Sequence, residues 1–208
     1  MILFTSIIDF IGVLILLYGF VIISENFIHS LIRHLQAQSI LLGFLILAFG
    51  VYLGDYAIIA LSALTFIFRG YVVPEILIKD LKRDPVWKHR ELETKAKHTL
   101  VVGIILALTG LLFYRAIYTT LGTWNAAIPF VLLLLGLLII VMRKNAIAQI
   151  SGYIVEENAL LYMGLILAPM SFLLEVGVLL DIIGAVLLAV ILGAEKEYGP
   201  LEIDELSG

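Results

Sequence analysis

The 208-residue sequence is 62% hydrophobic and only 14% charged, with a mean hydropathy of +1.11, whereas a soluble domain carries about 25% charged residues. It contains no cysteine, which excludes disulfides, iron–sulfur ligation and thiolate chemistry by this chain. The net charge of −4 decides little, because orientation in a membrane follows the placement of Lys and Arg rather than their total.

Apolar stretches recur along the chain, and about 20 helical residues at about 1.5 Å rise span a hydrocarbon core of roughly 30 Å. In chain order the predicted spans are 4–23, 38–54, 56–78, 98–116, 127–142, 145–167 and 171–193. Helices are expected rather than barrel strands, because the runs are apolar all round and do not alternate. The fold class is therefore all-α, a transmembrane bundle of about seven helices. The first span lacks the basic flank and the small-residue cleavage site of a signal peptide, so it is expected to remain in the mature protein.

The spans fall into an N-terminal three-helix half (1–79), a loop (80–97), a C-terminal four-helix half (98–194) and an acidic tail (195–208). The loop DLKRDPVWKHRELETKAKH, residues 80–98, reads as a solvated linker anchored by Trp87 or as a docking site for a partner. With seven crossings, Arg33, Lys79, Lys82, Arg83, Lys88, Arg90, Lys95, Lys97, Arg143, Lys144 and Lys196 share one side, and Arg115 stands alone on the other. The positive-inside rule makes the crowded side cytoplasmic, with the N-terminus outside and the C-terminus inside a cell membrane.

A charge at bilayer depth costs at least about 2.5–3.5 kcal/mol on insertion scales, so each one requires an account. The spans contain Asp9, Arg69, Glu75, Glu156, Glu157, Glu175 and Asp181. Counting rise from the cytoplasmic ends puts Glu157 and Asp181 both about 18 Å deep, and Arg69 at about 14 Å. Facing carboxylates with a cation at similar depth can exchange protons, linked by groups such as Ser151, Asn158 and Tyr162. Glu156 lies about 100° from Glu157 on a helix, so the two face different neighbours. Glu175, near the outer boundary, is read either as solvated or as part of an exit path. Glu75, just after Pro74, is read as the partner of Arg69 or as the cap of a broken helix; Asp9 has no evident partner. No His/Asp/Glu cluster has metal-ligand spacing, and no phosphate loop, nucleophile elbow or basic nucleic-acid surface is present.

The stretch RKNAIAQISGYIVEENALLYMGLILAP, with LLEVGVLLDIIGAVLLAVIL after it, resembles the C-terminal half of hydrogenase-4 component E, the HyfE-type membrane subunit of formate hydrogenlyase and related group 4 hydrogenases. The likeness is carried by Arg143, Asn145, Gln149, Ile150, Gly152, Tyr153, Glu157, Asn158, Glu175, Gly177 and Asp181, and upstream by the QSI of 38–40 and by a basic residue five positions before Pro74, Arg69 here where the family tends to have lysine. The last three helices are also similar to NuoK of complex I. Asp181 stands where NuoK has its third-helix glutamate, and Glu157 lies three residues beyond Ile154, the position of the second-helix one, on about the same face. Asp9, Glu75 and Glu156 have no counterpart in that pattern.

The resemblance implies a subunit that carries protons or sodium ions through Glu157, Asp181, Glu175 and Arg69, without a cofactor or metal of its own. It implies a hetero-oligomer with antiporter-like and NuoH-like membrane subunits, and a peripheral hydrogenase arm holding a nickel–iron centre and iron–sulfur clusters. Two alternatives stay open: the C-type subunit of an Mrp-like cation/proton antiporter, and a structural scaffold whose carboxylates are protonated and hydrogen-bonded.

Overall fold

The computed structural model describes residues 2–83, 96–121, 126–143, 145–167, 175–184 and 186. The helices are α1 (Ile2–Ser24), α2 (Ile28–Leu53), α3 (Tyr56–Ile67), a π-helical turn (Phe68–Val72), α4 (Val73–Arg83), α5 (Ala96–Leu121), α6 (Ala127–Met142) and α7 (Ala146–Leu167). A further helical stretch, α8, covers residues 175–184. Five segments are long and apolar enough to cross a membrane: Ser6–Ser24, Ile28–Leu53, Tyr56–Lys79, Lys97–Ala116 and Ala146–Leu167; Ala127–Met142 is shorter. Residues 84–95, with Trp87, the LAPMS turn after Leu167, the end of the seventh expected span and the acidic tail lie outside the described residues.

Three expected boundaries shift. The second helix begins at Ile28, ten residues before the predicted span. Its first two turns bury Ile28, Leu31, Ile32 and Leu35 while His29 and Arg33 stay exposed; this amphipathic i, i+3, i+4, i+7 pattern lowers the local hydropathy without breaking the helix. The fourth helix runs to Leu121 rather than ending at residue 116. The third span is continuous from Tyr56 to Arg83 but contains the π-helical turn. Proline accounts for the turn. Pro74 has no N–H for the carbonyl four residues back, that of Gly70, and its ring crowds that carbonyl. The ladder widens locally, with the Val73 N–H bonding to the Phe68 carbonyl, and the Gln36 side-chain amide donates to the Gly70 oxygen at 2.9 Å.

Helices α2 and α7 form the centre. α2 packs on α1, α3 and α7; α6 packs on α7, α1 and α5. Phe4 stacks on Tyr52 at 3.9 Å between ring centres, so α1 and α2 are antiparallel. The turn from α2 to α3 uses Gly54 at φ +66°, which a side chain adopts at a cost, and Asp55 then caps α3 by accepting the Ala57 N–H at 2.8 Å. Ile and Leu side chains of these helices make one continuous core, and α5 turns a broad apolar face outward, with Leu112 at 68% exposure. At the other end of α1, the buried Arg143 donates to the Ile23 and Glu25 carbonyls at 2.9 Å each, tying α6 to the end of α1. We call this the basic end, since Arg33 and Lys79 also lie there, and the Gly54 turn marks the opposite end.

Helices α6 and α7 approach each other closely. A Cβ on Gly136 would meet the Glu156 nitrogen at 2.8 Å and the Gly152 oxygen at 2.9 Å, both backbone atoms that cannot yield separately. Small residues of this kind let two helix backbones approach closely. Gly136→Val or Gly152→Val is therefore expected to cost about 1–3 kcal/mol through overpacking, read as a lower thermal midpoint in detergent. Gly110→Ala, whose Cβ meets only side-chain atoms such as the Leu134 terminus, is expected to leave the midpoint nearly unchanged.

Candidate functional site

A polar cluster sits at mid-length of the bundle, enclosed by α2, the π-helical turn, α7 and α8. Its centre is Arg69, 2% exposed. Nε donates to Asp181 Oδ1 at 2.7 Å, Nη1 donates to Asn158 Oδ1 at 3.2 Å, and Nη2 lies 3.4 Å from Glu157 Oε2. Asn158 passes the contact on: its Nδ2 donates to Ser39 Oγ at 3.0 Å and to Gln38 Oε1 at 3.3 Å, and Gln38 in turn donates to the Ile15 carbonyl at 3.1 Å. The Tyr153 hydroxyl, one turn nearer the basic end than Glu157 on α7, approaches the Glu157 carboxylate.

Each position has a local cause. The π-helical turn places Arg69 one turn before Pro74, so the widened backbone that accommodates proline also presents the guanidinium to the interior. On α8, Gly177, Asp181 and Gly184 recur at i, i+4 and i+7 and share one face. Gly177 lies against Leu61 and Leu161, and a Cβ on Gly184 would come within 3.2 Å of Glu157 Oε1. The missing side chains allow α8 to close on the Arg69 centre.

Two carboxylates face one guanidinium. Among the described residues, Glu157 Oε1 and Asp181 Oδ2 are buried without a hydrogen-bond partner. An unpartnered buried carboxylate oxygen is costly. Arg69 is a permanent cation and balances one carboxylate, so the other is neutral only when it holds a proton or a monovalent cation.

Glu157, Asp181 and Arg69 are brought together, and the two carboxylates meet through the guanidinium. Glu75 is corrected. Arg69 pairs with Asp181 and Glu157 rather than with Glu75, which lies in the first turn of α4 within a span that continues unbroken and so has no helix end for it to cap. Glu156 is half-buried on the flank of α7 that approaches α6, away from Arg69. Glu175 is exposed at the start of α8, apart from the cluster. Asp9 is exposed on α1, apart from the cluster. Ser151 donates to the Ile147 carbonyl at 2.8 Å and stays within its own helix. The bonding roles of Gln38 and Ser39 were not anticipated; the available signal is two adjacent polar residues opening an apolar run, both fully buried here.

No family model matches the chain, and neither a curated protein nor a solved structure does.

Removing the cation leaves two carboxylates uncompensated. Arg69→Gln is expected to destabilise the chain by about 3–5 kcal/mol, the cost of breaking a buried pair, seen as a lower melting midpoint in detergent. Adding Asp181→Asn to Arg69→Gln is expected to recover part of that loss, because residues in one network are not additive.

Proposed function

We propose that this chain is an ion-translocating membrane subunit of a complex-I-like membrane-bound hydrogenase or formate hydrogenlyase, carrying protons or sodium ions through the Arg69–Glu157–Asp181 centre. The observation that carries the reading is the charge count at that centre: one permanent cation and two buried carboxylates, with two carboxylate oxygens unpartnered. A site that is neutral only after taking one positive charge is built for exchange, and intramembrane carboxylates of this kind mark ion pathways. The long apolar helices support a multi-pass membrane protein, and in this reading it has seven crossings, with the basic end in the cytoplasm. The likeness of residues 143–181 to hydrogenase-4 component E and to NuoK supplies the class of complex. The last three helices then form the NuoK-like unit, beside antiporter-like and NuoH-like subunits. Redox chemistry at nickel–iron and iron–sulfur centres belongs to the peripheral arm, and this chain contributes the ion path.

In the relay, Glu157 takes up the ion from one side. The neutralised carboxylate releases its share of Arg69, which then holds Asp181, and transfer between the two carboxylates moves the ion across the junction. Opposite charge beside a carboxylate favours its ionised form, so Arg69 sets the ease of each transfer.

In a purified, reconstituted complex, Asp181→Asn is expected to abolish ion pumping, and Glu157→Gln to shift its pH dependence. Redox turnover and pumping both unchanged in Asp181→Asn would sink the role. Unchanged pH dependence in Glu157→Gln would favour a structural scaffold. Copurification in mild detergent tests the class: a nickel–iron large subunit supports it, and antiporter chains alone point to an Mrp-like assembly.

A further inference from the structure

Helix α7 bears two polar stripes, and they run in opposite directions. The first contains Tyr153 and Glu157, one turn apart. Towards the opposite end it is closed, because the positions three and four residues beyond Glu157 are Leu160 and the fully buried Leu161. The second contains Asn158 and Tyr162, also one turn apart and both buried. Towards the basic end that stripe is closed, because the positions three and four residues before Asn158 are the buried Val155 and Ile154.

The second stripe continues onto α1. The Tyr162 hydroxyl packs against Gly12, where any Cβ would collide with it. Asp9 lies one turn from Gly12 on α1 and is exposed. Asp9 is about 10 Å along the helix from Ile2, so a carboxylate there needs a polar environment. Arg69 touches both stripes, through Nη2 to Glu157 and through Nη1 to Asn158.

We propose that α7 carries two water-accessible half-paths, offset by about 100° and joined only at Arg69. Tyr153–Glu157 opens to the basic end, and Asn158–Tyr162–Asp9 opens to the other. This rests on the relay reading and replaces Glu175 with Asp9 as the exit group. A proton from water at the basic end binds Glu157, transfers to Asp181 at the junction, passes to water beside Asn158 and Tyr162, and leaves through the Asp9 carboxylate. Leu161 and Val155 block the direct route along either stripe, so passage requires the exchange at Arg69.

The absence of native cysteine allows a direct test by single-cysteine accessibility. The full chain is kept in its native complex, in membrane vesicles of both orientations, and a membrane-impermeant maleimide is the probe. Tyr153→Cys is expected to react at least about tenfold faster from the basic face and Tyr162→Cys from the other, with Val155→Cys and Leu161→Cys slow from both, since thiol reactivity follows exposure to water. Labelling of 153 and 162 from the same side, of neither, or of 155 and 161 as fast as these, would overturn the proposal. Asp9→Asn and Tyr162→Phe supply a second measurement. Each is expected to slow translocation about tenfold, and the double variant about twentyfold, because delays in series add; a multiplicative slowing of about a hundredfold would count against a shared path. Failure of the relay reading is separable: if Asp181→Asn leaves pumping intact while labelling stays two-sided, the half-paths stand and the relay falls. If Asp181→Asn abolishes pumping while labelling is one-sided, only the half-paths fall.

Discussion

The Arg69 guanidinium and the two carboxylates around it make one another tolerable. Each alone, in an apolar interior, bears a desolvation cost of several kcal/mol, and each is held by a different part of the chain. Arg69 and Asp181 are 112 positions apart in sequence and Arg69 and Asn158 are 89 apart, so the cluster closes only when the third helix, α7 and α8 have all packed. If the bundle sits in lipid, as proposed, hydrophobic association contributes little between its helices, because tails are as apolar as leucine. The polar centre therefore specifies which helices meet and in what register, while the small residues at Gly136, Gly152 and Gly184 set how near they come.

The backbone around Arg69 is irregular for a related reason. Proline at 74 frees the Gly70 carbonyl, and inside an apolar medium a freed carbonyl needs a donor. Gln36 supplies one at 2.9 Å, on the same helix as Gln38 and Ser39. α2 thus serves the site twice, satisfying the broken backbone below the arginine and receiving the amide of Asn158 beside it. The π-helical turn here follows from a proline five residues after the charged side chain.

Position along each helix was legible in the sequence because helical rise is fixed, and this is why Glu157 and Asp181 could be placed at one level with Arg69 within about a turn of it. Rotation was less legible. A regular helix advances about 100° per residue, but the π-helical turn at Phe68–Val72 changes the phase between Arg69 and everything beyond it, so the partner of Arg69 could not be chosen between Glu75 and the later carboxylates. The start of α2 was hidden because Arg33 and His29 offset the apolar residues on the other face. Gln38 and Ser39 carried no charge to attract notice, and their roles depend on Asn158, 119 and 120 positions away.

The identity of the central cation also constrains the proposed relay. Arginine has five donors in a rigid planar fork and keeps its proton at any physiological pH. Arg69 uses that fork to face three separate groups, Asp181, Asn158 and Glu157. A lysine at this position would present a compact ammonium whose proton can be lost when buried, and would itself become a carrier. With arginine the positive charge stays put, and the exchangeable charge must reside on a carboxylate. The unpartnered oxygens of Glu157 and Asp181 are then the two places where it can rest, and the guanidinium between them acts as a fixed counter-charge that penalises leaving both sites protonated. With both carboxylates ionised the centre holds an uncompensated negative charge, and with both protonated an uncompensated positive one, so the low-energy states are the two with a single bound ion. Alternation between those two states is what a one-ion relay requires.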